Sequence, residues 1–153
     1  SDMPDVLLEC RYELEWLLKM QRVDGSVWHK ATTFKHAPFV MPEQDKDPMY
    51  VMPISSSATA DFAAVTALAS TIYKEYDSDL SAWLLRCSRA AWDWLEKNPQ
   101  FVGFQNPKGC DTGVYGEHSD RDNRFWAAAE LFNATGDTSF FSRASCGTPC
   151  RSM

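Results

Sequence analysis

Residues 55–99 read SSSATADFAAVTALASTIYKEYDSDLSAWLLRCSRAAWDWLEKNP, and this stretch decides the fold class. Apolar side chains recur there every three or four residues, which is the spacing of one face of an α-helix. The first such stripe contains Phe62, Val65, Ala69, Ile72 and Tyr76, and the second contains Leu80, Leu84, Cys87, Ala91 and Trp94. Asp77 and Ser78 interrupt the pattern and can cap a new helix. The stretch therefore predicts two helices, over 57–76 and 79–97, joined by a tight turn into an antiparallel hairpin.

Two more helical patterns flank this hairpin. Pro4 and Asp5 suit a first helical turn, because proline has no N–H to leave unpaired and aspartate faces the positive end of the helix dipole. The pattern that they open predicts a helix over 4–22. A further helix is predicted over 121–135, ended by Gly136. Since no alternating strand pattern competes with these segments, we expect an all-α fold of about four helices.

The end of the chain departs from this pattern. A helical pattern starts at residues 138–141 and is abandoned at once, so we expect no second turn there. The sequence therefore predicts one domain over residues 1–142 and a disordered or non-native tail over residues 143–153.

Two connections are far longer than the roughly 2–8 residues that usually join packed helices. They span residues 23–56 and 99–119. Long ordered loops on a helical scaffold commonly carry function. Their alternation with a short connection predicts a helical toroid whose long loops share one rim. Stacked repeats of paired helices are the alternative, although the chain shows no sustained internal self-similarity.

The composition of the chain limits the kinds of binding partner that we expect. Apolar residues make up 44% of the chain and charged residues 24%, a composition typical of a folded globular domain. Fifteen Lys and Arg stand against 21 Asp and Glu, a net charge of -6, so we expect neither nucleic acid nor an anionic membrane surface as a partner. Aromatic residues reach 13%, and they include six Trp, which pack in cores or grip flat ligands.

The cysteines and histidines form no metal-binding pattern. The five cysteines are Cys10, Cys87, Cys110, Cys146 and Cys150. They include no C-x-x-C pair, and the histidines show neither H-x-x-x-H nor H-E-x-x-H spacing. An odd, scattered set favours reduced thiols over a disulfide framework. We expect no zinc site.

The first long loop carries His29 beside Trp28. A histidine next to an aromatic residue on a loop can donate a hydrogen bond to a sugar while its ring packs on the sugar face. The alternative is that His29 anchors the loop through backbone groups, which is also our interpretation of His36. Three serines, Ser55, Ser56 and Ser57, lack a nucleophile elbow and are expected to cap the next helix.

The second long loop is acidic. Its carboxylates belong to Asp111, Glu117, Asp120 and Asp122. Hard oxygen ligands on an irregular loop suit calcium, although the order is not that of an EF-hand. The alternative is an acidic cap at a helix N-terminus. Tyr115 in the same loop can stack on a ligand or pin the loop.

Six segments, in this order along the chain, resemble glycoside hydrolase family 9, the inverting endoglucanases. They are MPDVLLECRYELEWLLKMQ (3–21), VWHKATT (27–33), MPEQDKDPMYVMPISSSATADFAA (41–64), AWDWLEKNP (91–99), TGVYG (112–116) and RFWAAAELFNATGD (124–137). The resemblance covers about residues 1–142. It implies part of an (α/α)6 barrel whose long loops line a cleft for cellulose or another β-glucan. It also implies a secreted, extracellular enzyme whose signal peptide lies outside this chain.

The resemblance also implies which chemistry this chain lacks. The family's catalytic base lies in an upstream Asp-Ala-Gly-Asp motif and its acid is a glutamate in a downstream motif. Neither motif occurs here, so we expect no catalytic residue in this chain. Glycoside hydrolysis by inversion needs both carboxylates.

Four residues take roles from the family pattern. His29 matches the histidine that lines the cleft near the cleaved bond, and Tyr115 falls near an aromatic that stacks on glucosyl rings. Asp122 matches a calcium ligand, and Asn123 stands where the family usually has a second one, a glutamate. Some members hold zinc through a cysteine that Cys10 matches and a Cys-His pair, but that pair is replaced here by Val27 and Trp28.

A second hypothesis is a non-catalytic helical module that binds a glycan or a protein through His29, Trp28 and Tyr115. A third, another toroid enzyme such as a glycan lyase, needs a Tyr and His constellation that the sequence does not offer.

Overall fold

The fold is almost entirely helical. The computed structural model describes residues 3–114 and 116–145. Its helices are α1 (Asp5–Leu18), α2 (Ser56–Tyr73), α3 (Ser78–Lys97), α4 (Arg121–Thr135) and α5 (Ser139–Ser145). In the loop before α2, β1 (Ala31–Thr32) pairs antiparallel with β2 (Tyr50–Val51), and a short 3-10 turn covers Pro42–Gln44. Within the described ranges, no helix is long and apolar enough to cross a membrane.

The four predicted helices are present, but α1 is shorter than predicted. It ends at Leu18 instead of residue 22, because the chain turns back on itself directly afterwards. The amide of Trp28 donates to the carbonyl of Met20 at 3.0 Å, and Gln21 and Val27 form a β-bridge. The strand pair β1–β2 was also not predicted, since two residues per strand are too few to show an alternating pattern.

The expectation that the last helical pattern stops at once was wrong. Residues 139–145 form α5, so residues 143–145, which we assigned to a disordered tail, are helical. Phe140 is only 5% exposed, and its ring meets Trp92 of α3 edge-on at 5.7 Å between centroids. This apolar contact accounts for a second turn that periodicity alone does not predict. The rest of the predicted tail, 146–153, lies outside the described residues.

Helices α2 and α3 form the predicted antiparallel hairpin. Ser81 Oγ donates to the carbonyl of Ser70, and Ser88 Oγ donates to that of Ala63, both at 2.6 Å. From Ser81 to Ser88 the donors advance along α3, whereas their acceptors go back along α2 from Ser70 to Ala63. The two helices therefore run in opposite directions. Asp77 caps α3 by accepting from the amide of Leu80 at 2.9 Å, as predicted.

Helix α2 lies at the centre of the described fold, with α3 and α4 packed against it. Four of its alanines have no exposed surface, namely Ala60, Ala63, Ala64 and Ala67. Small side chains let neighbouring backbones approach closely, so the alanine-rich sequence of α2 fits a helix covered on several sides. Some of its buried hydroxyls bond within the helix, as Thr66 Oγ1 does to the carbonyl of Phe62 at 2.6 Å.

The segment that follows α1 packs closely against α3 at a glycine. Gly25 has a φ of 94°, and a Cβ atom there would lie 2.2 Å from the carbonyl oxygen of Ala90. Only glycine fits both the backbone conformation and this close approach. Gln21 Nε2 reinforces the contact by donating to the carbonyl of Cys87 at 2.9 Å. The first long loop therefore starts from a fixed point.

Candidate functional site

The two long loops meet at one end of the helices. Lys30 in the first loop donates its Nζ to the carbonyl of Gly113 at 2.6 Å and to Thr112 Oγ1 at 3.1 Å. The amide of Asp111 donates to the carbonyl of Phe34 at 2.8 Å. Because α2 and α3 are antiparallel, the start of α2 and the end of α3 lie at the same end, which brings the loops together. The predicted common rim of the two long loops is confirmed for their described parts.

His29 is held on three sides. Its imidazole stacks on Phe104 of the second loop, with ring centroids 3.9 Å apart and the planes 4° from parallel. Its Nδ1 lies 2.8 Å from Ser55 Oγ, and its amide donates to the carbonyl of Pro53 at 3.1 Å. Burial lowers the pKa of His29. The negative charge of Glu117 raises this pKa, whereas the positive charge of Lys30 lowers it further. The lowered pKa favours the neutral imidazole at neutral pH.

A cavity of about 360 Å³ opens beside His29. It is bounded by α1, the first loop and α2. Its lining comprises Trp16, Leu17, Met20, Val27, Trp28, His29, Lys30, Ala31, Ala58, Asp61, Phe62 and Val65. Apolar and aromatic walls with a few convergent polar groups are typical of a site for a small organic ligand.

Asp61 is a charged residue of this cavity that was not predicted from the sequence. It is the one charged residue of α2, and that isolation among alanines and other apolar residues was the signal available. Asn123 Nδ2 of α4 donates to Asp61 Oδ1 at 2.8 Å. Burial raises the pKa of Asp61, the Asn123 bond opposes this, and Glu117 and Asp122 raise it further. Glu117 therefore influences both His29 and Asp61.

Comparison with known proteins identifies the family. The chain matches the sequence profile described as Glycosyl hydrolase family 9 over residues 1–149. It belongs to glycosyl hydrolase family 9. A cellodextrinase of Butyrivibrio fibrisolvens is 51% identical over 144 residues, which are 94% of this chain and 26% of the relative. Endoglucanase D of Acetivibrio thermocellus is 41% identical over 142 residues, 92% of this chain and 23% of that protein.

Solved family 9 structures share the fold. A family 9 protein of Bacteroides ovatus superposes with a TM-score of 0.88 at 34% identity, covering 97% of this chain and 29% of that protein. This chain is therefore part of an (α/α)6 barrel, as the resemblance implied. It spans about a quarter of the length of the curated relatives that it matches.

The family 9 site residues predicted from sequence are partly brought together. His29 lines the cavity with Trp28, while Tyr115 lies outside the described residues. Ser55 caps α2 as predicted, because its Oγ accepts from the amide of Ala58 at 3.1 Å. His36 is exposed.

The described residues do not complete the calcium site implied by the family 9 pattern. Asp122 is exposed, and Asn123 gives its amide hydrogen to Asp61. Asp120 is committed elsewhere, since Arg124 Nε donates to its carboxylate at 2.8 Å. Within residues 3–114 and 116–145, no three Asp, Glu, His or Cys side chains are grouped to hold an ion. Calcium needs six to eight oxygens, so these side chains alone do not fit it.

Calcium at Asp122 and Asn123 therefore stays a prediction. If the family role of these positions persists, calcium raises the melting temperature of the full-length enzyme, and Asp122→Ala abolishes that shift. The measurement is thermal unfolding with calcium and with a chelator. An equal shift in both proteins would exclude Asp122 as a ligand.

The pKa of Asp61 gives a stability prediction. A carboxyl whose pKa is raised by folding stabilises the folded state in its protonated form, and that contribution is lost as the pH rises through the folded-state value. Asp61→Asn keeps an oxygen for the Asn123 amide and removes the half-buried charge. We therefore expect Asp61→Asn to melt at a higher temperature than wild type at neutral pH, with the difference shrinking toward acid pH.

The matched control is Asp61→Ala, which leaves the Asn123 amide without its acceptor and should not be stabilised to the same degree. Thermal unfolding over a pH series checks both. A lower melting temperature for Asp61→Asn than for wild type at neutral pH would show that the charge stabilises the fold.

Proposed function

We propose that this chain is part of an inverting β-1,4-glucanase that hydrolyses cellulose or a related β-glucan outside the cell. The family membership and relatives named cellodextrinase and endoglucanase support the proposal. The chain covers only a quarter of these relatives, so the catalytic unit includes residues beyond it. The two catalytic carboxylates are expected there.

The single observation that carries the proposal is the environment of His29. A half-buried imidazole, stacked on Phe104 and with its pKa lowered, lines a cavity together with Trp28 and the carboxylate of Asp61. Neutral sugars offer hydroxyl groups at the ring edge and C–H groups on the ring faces. Aromatic walls suit those faces, and a donor and an acceptor suit the hydroxyls.

The proposed work of this chain is to bind and orient substrate. His29 donates a hydrogen bond to an oxygen of a glucosyl unit, and Asp61 accepts one from a sugar hydroxyl. Tyr115 adds a stacking surface from the second loop. Holding a glucosyl unit in place favours reaction because it removes much of the entropic cost of aligning the bond with the two carboxylates.

The stereochemistry of the product tests the proposal. An inverting enzyme acting on β-1,4-linked glucose releases a product whose new reducing end is initially the α-anomer. We expect this outcome when the full-length enzyme cleaves a short cello-oligosaccharide and proton NMR follows the anomeric signals before mutarotation. Initial release of the β-anomer would contradict inversion. Binding of cello-oligosaccharide without any cleavage would favour the non-catalytic binding module instead.

A further inference from the structure

We infer that Ser55 is a positioning residue that holds His29 as the tautomer protonated at Nε2. In this arrangement the Ser55 hydroxyl donates to Nδ1, and His29 presents a hydrogen-bond donor to an oxygen of the bound sugar. The role toward sugar rests on the proposed function, whereas the tautomer itself does not depend on it.

The geometry brings four polar atoms together at the start of α2. Ser55 Oγ lies 2.8 Å from His29 Nδ1, 3.1 Å from the amide nitrogen of Ala58 and 3.3 Å from Ser57 Oγ. Ser55 has no exposed surface and Ser57 is 3% exposed. Buried hydroxyl groups of this kind nearly always have a hydrogen-bond partner.

Counting hydrogens selects one arrangement. A serine oxygen can donate one hydrogen and accept two. If Ser57 donates to Ser55 and Ser55 donates to His29 Nδ1, both hydroxyl hydrogens are used, and Ser55 accepts from Ala58 and Ser57. If His29 Nδ1 carried the hydrogen instead, Ser55 would donate to Ser57. The Ser57 hydrogen would then find no acceptor among the described residues, because Ser55 is the hydrogen-bond partner that Ser57 has there.

The surroundings of the ring agree with this assignment. Partial burial favours the neutral ring, in which one nitrogen acts as an acceptor and the other as a donor. The stack on Phe104 fixes the ring plane, and the Ser55 bond fixes its rotation within that plane. With Nδ1 occupied by Ser55, Nε2–H is the group left for a ligand. A second group commonly sets the tautomer of a functional histidine in this way.

The test is NMR spectroscopy of the full-length enzyme labelled with nitrogen-15 in histidine only. Nitrogen–hydrogen correlations distinguish protonated from unprotonated ring nitrogens, and the His29 signals are assigned by their loss in His29→Gln. At neutral pH, without ligand, we expect His29 to carry its hydrogen on Nε2. A ring protonated at Nδ1, or an even mixture, would overturn the inference.

Two variants isolate the contribution of Ser55. Ser55→Gly removes the hydroxyl, and glycine is tolerated at helix N-caps at little cost. We expect the His29 ring in Ser55→Gly to become a mixture of tautomers. Ser57→Ala leaves the Ser55–His29 bond in place, so we expect the Nε2–H form to persist. An unchanged tautomer in Ser55→Gly would show that Ser55 does not position the ring.

Kinetics separate this inference from the proposed function. We expect Ser55→Gly to lower kcat/KM on cello-oligosaccharides about tenfold, while Asp77→Ala, which removes the cap of α3 far from His29, leaves it unchanged. Suppose that Ser55→Gly changes the tautomer and leaves kcat/KM unchanged. Ser55 then does position the ring, but His29 does not bind the sugar in the way proposed, and the role assigned to His29 is wrong. If the wild-type tautomer is wrong, the positioning fails whatever the activity.

Discussion

The 153-residue chain, purified alone, is expected to release no reducing sugar above background from carboxymethyl-cellulose. Hydrolysis with inversion needs one carboxyl to protonate the leaving oxygen and another to activate water. General acid–base groups contribute about 10²–10⁴-fold each, so losing both removes at least about 10⁴-fold of the rate. Contacts that bind substrate and transition state equally do not restore it. The measurement is a reducing-sugar assay, with the full-length enzyme as the positive control.

Turnover by the chain alone would show that it contains a catalytic pair. The structure ranks the carboxylates to mutate in that event. Glu117 comes first, because its charge acts on both His29 and Asp61. Asp120 comes last, because it is 4% exposed and bound to Arg124, whose Nη1 also donates to the carbonyl of Leu95 at 2.9 Å.

His29→Ala in the full-length enzyme is expected to lower kcat/KM on cello-oligosaccharides by about 10- to 100-fold, equivalent to about 1.4–2.8 kcal/mol of lost transition-state stabilisation. The substitution removes the imidazole that lines the cavity and stacks on Phe104. If the bond to sugar strengthens in the transition state, the loss falls on kcat; if it is equally strong in the ground state, it falls on KM. Steady-state kinetics distinguish these cases.

The matched control is His36→Ala. His36 lies in the same loop but is exposed, so its removal should leave kcat/KM unchanged. Equal activity of His29→Ala and wild type would contradict the role proposed for His29. Equal losses in both variants would mean that the loop itself, and not the imidazole of His29, is what the substitutions disturb.

The hairpin α2–α3 could be predicted from sequence because each signal was local. Apolar spacing defined both helices, and Asp77 marked the cap between them. Helix α5 could not be predicted in this way, since its second turn depends on the contact between Phe140 and Trp92 of α3, which are far apart in sequence. The strand pair β1–β2 likewise joins residues that are distant along the loop, and two residues per strand are too few to show an alternating pattern.

The candidate site was only partly visible for the same reason. His29 could be singled out by its aromatic neighbour and by the family pattern. Its stack on Phe104 joins two loops, and its bond to Ser55 joins a loop to a helix cap, so neither follows from spacing along the chain. Asp61 was hidden in a helix that its alanines predicted to be buried. Its hydrogen bond with Asn123 joins α2 to α4, and this partner for the single charged residue of α2 is visible only in the folded structure.

A crystal structure of the full-length enzyme with a bound cello-oligosaccharide tests the central claim most directly. We expect a glucosyl unit in the cavity between α1, the first loop and α2, with one of its oxygens within hydrogen-bonding distance of His29 Nε2. We also expect the ring of His29 to remain stacked on Phe104 and bonded to Ser55. An oligosaccharide bound in a catalytic cleft that does not reach His29 or Asp61 would contradict the account.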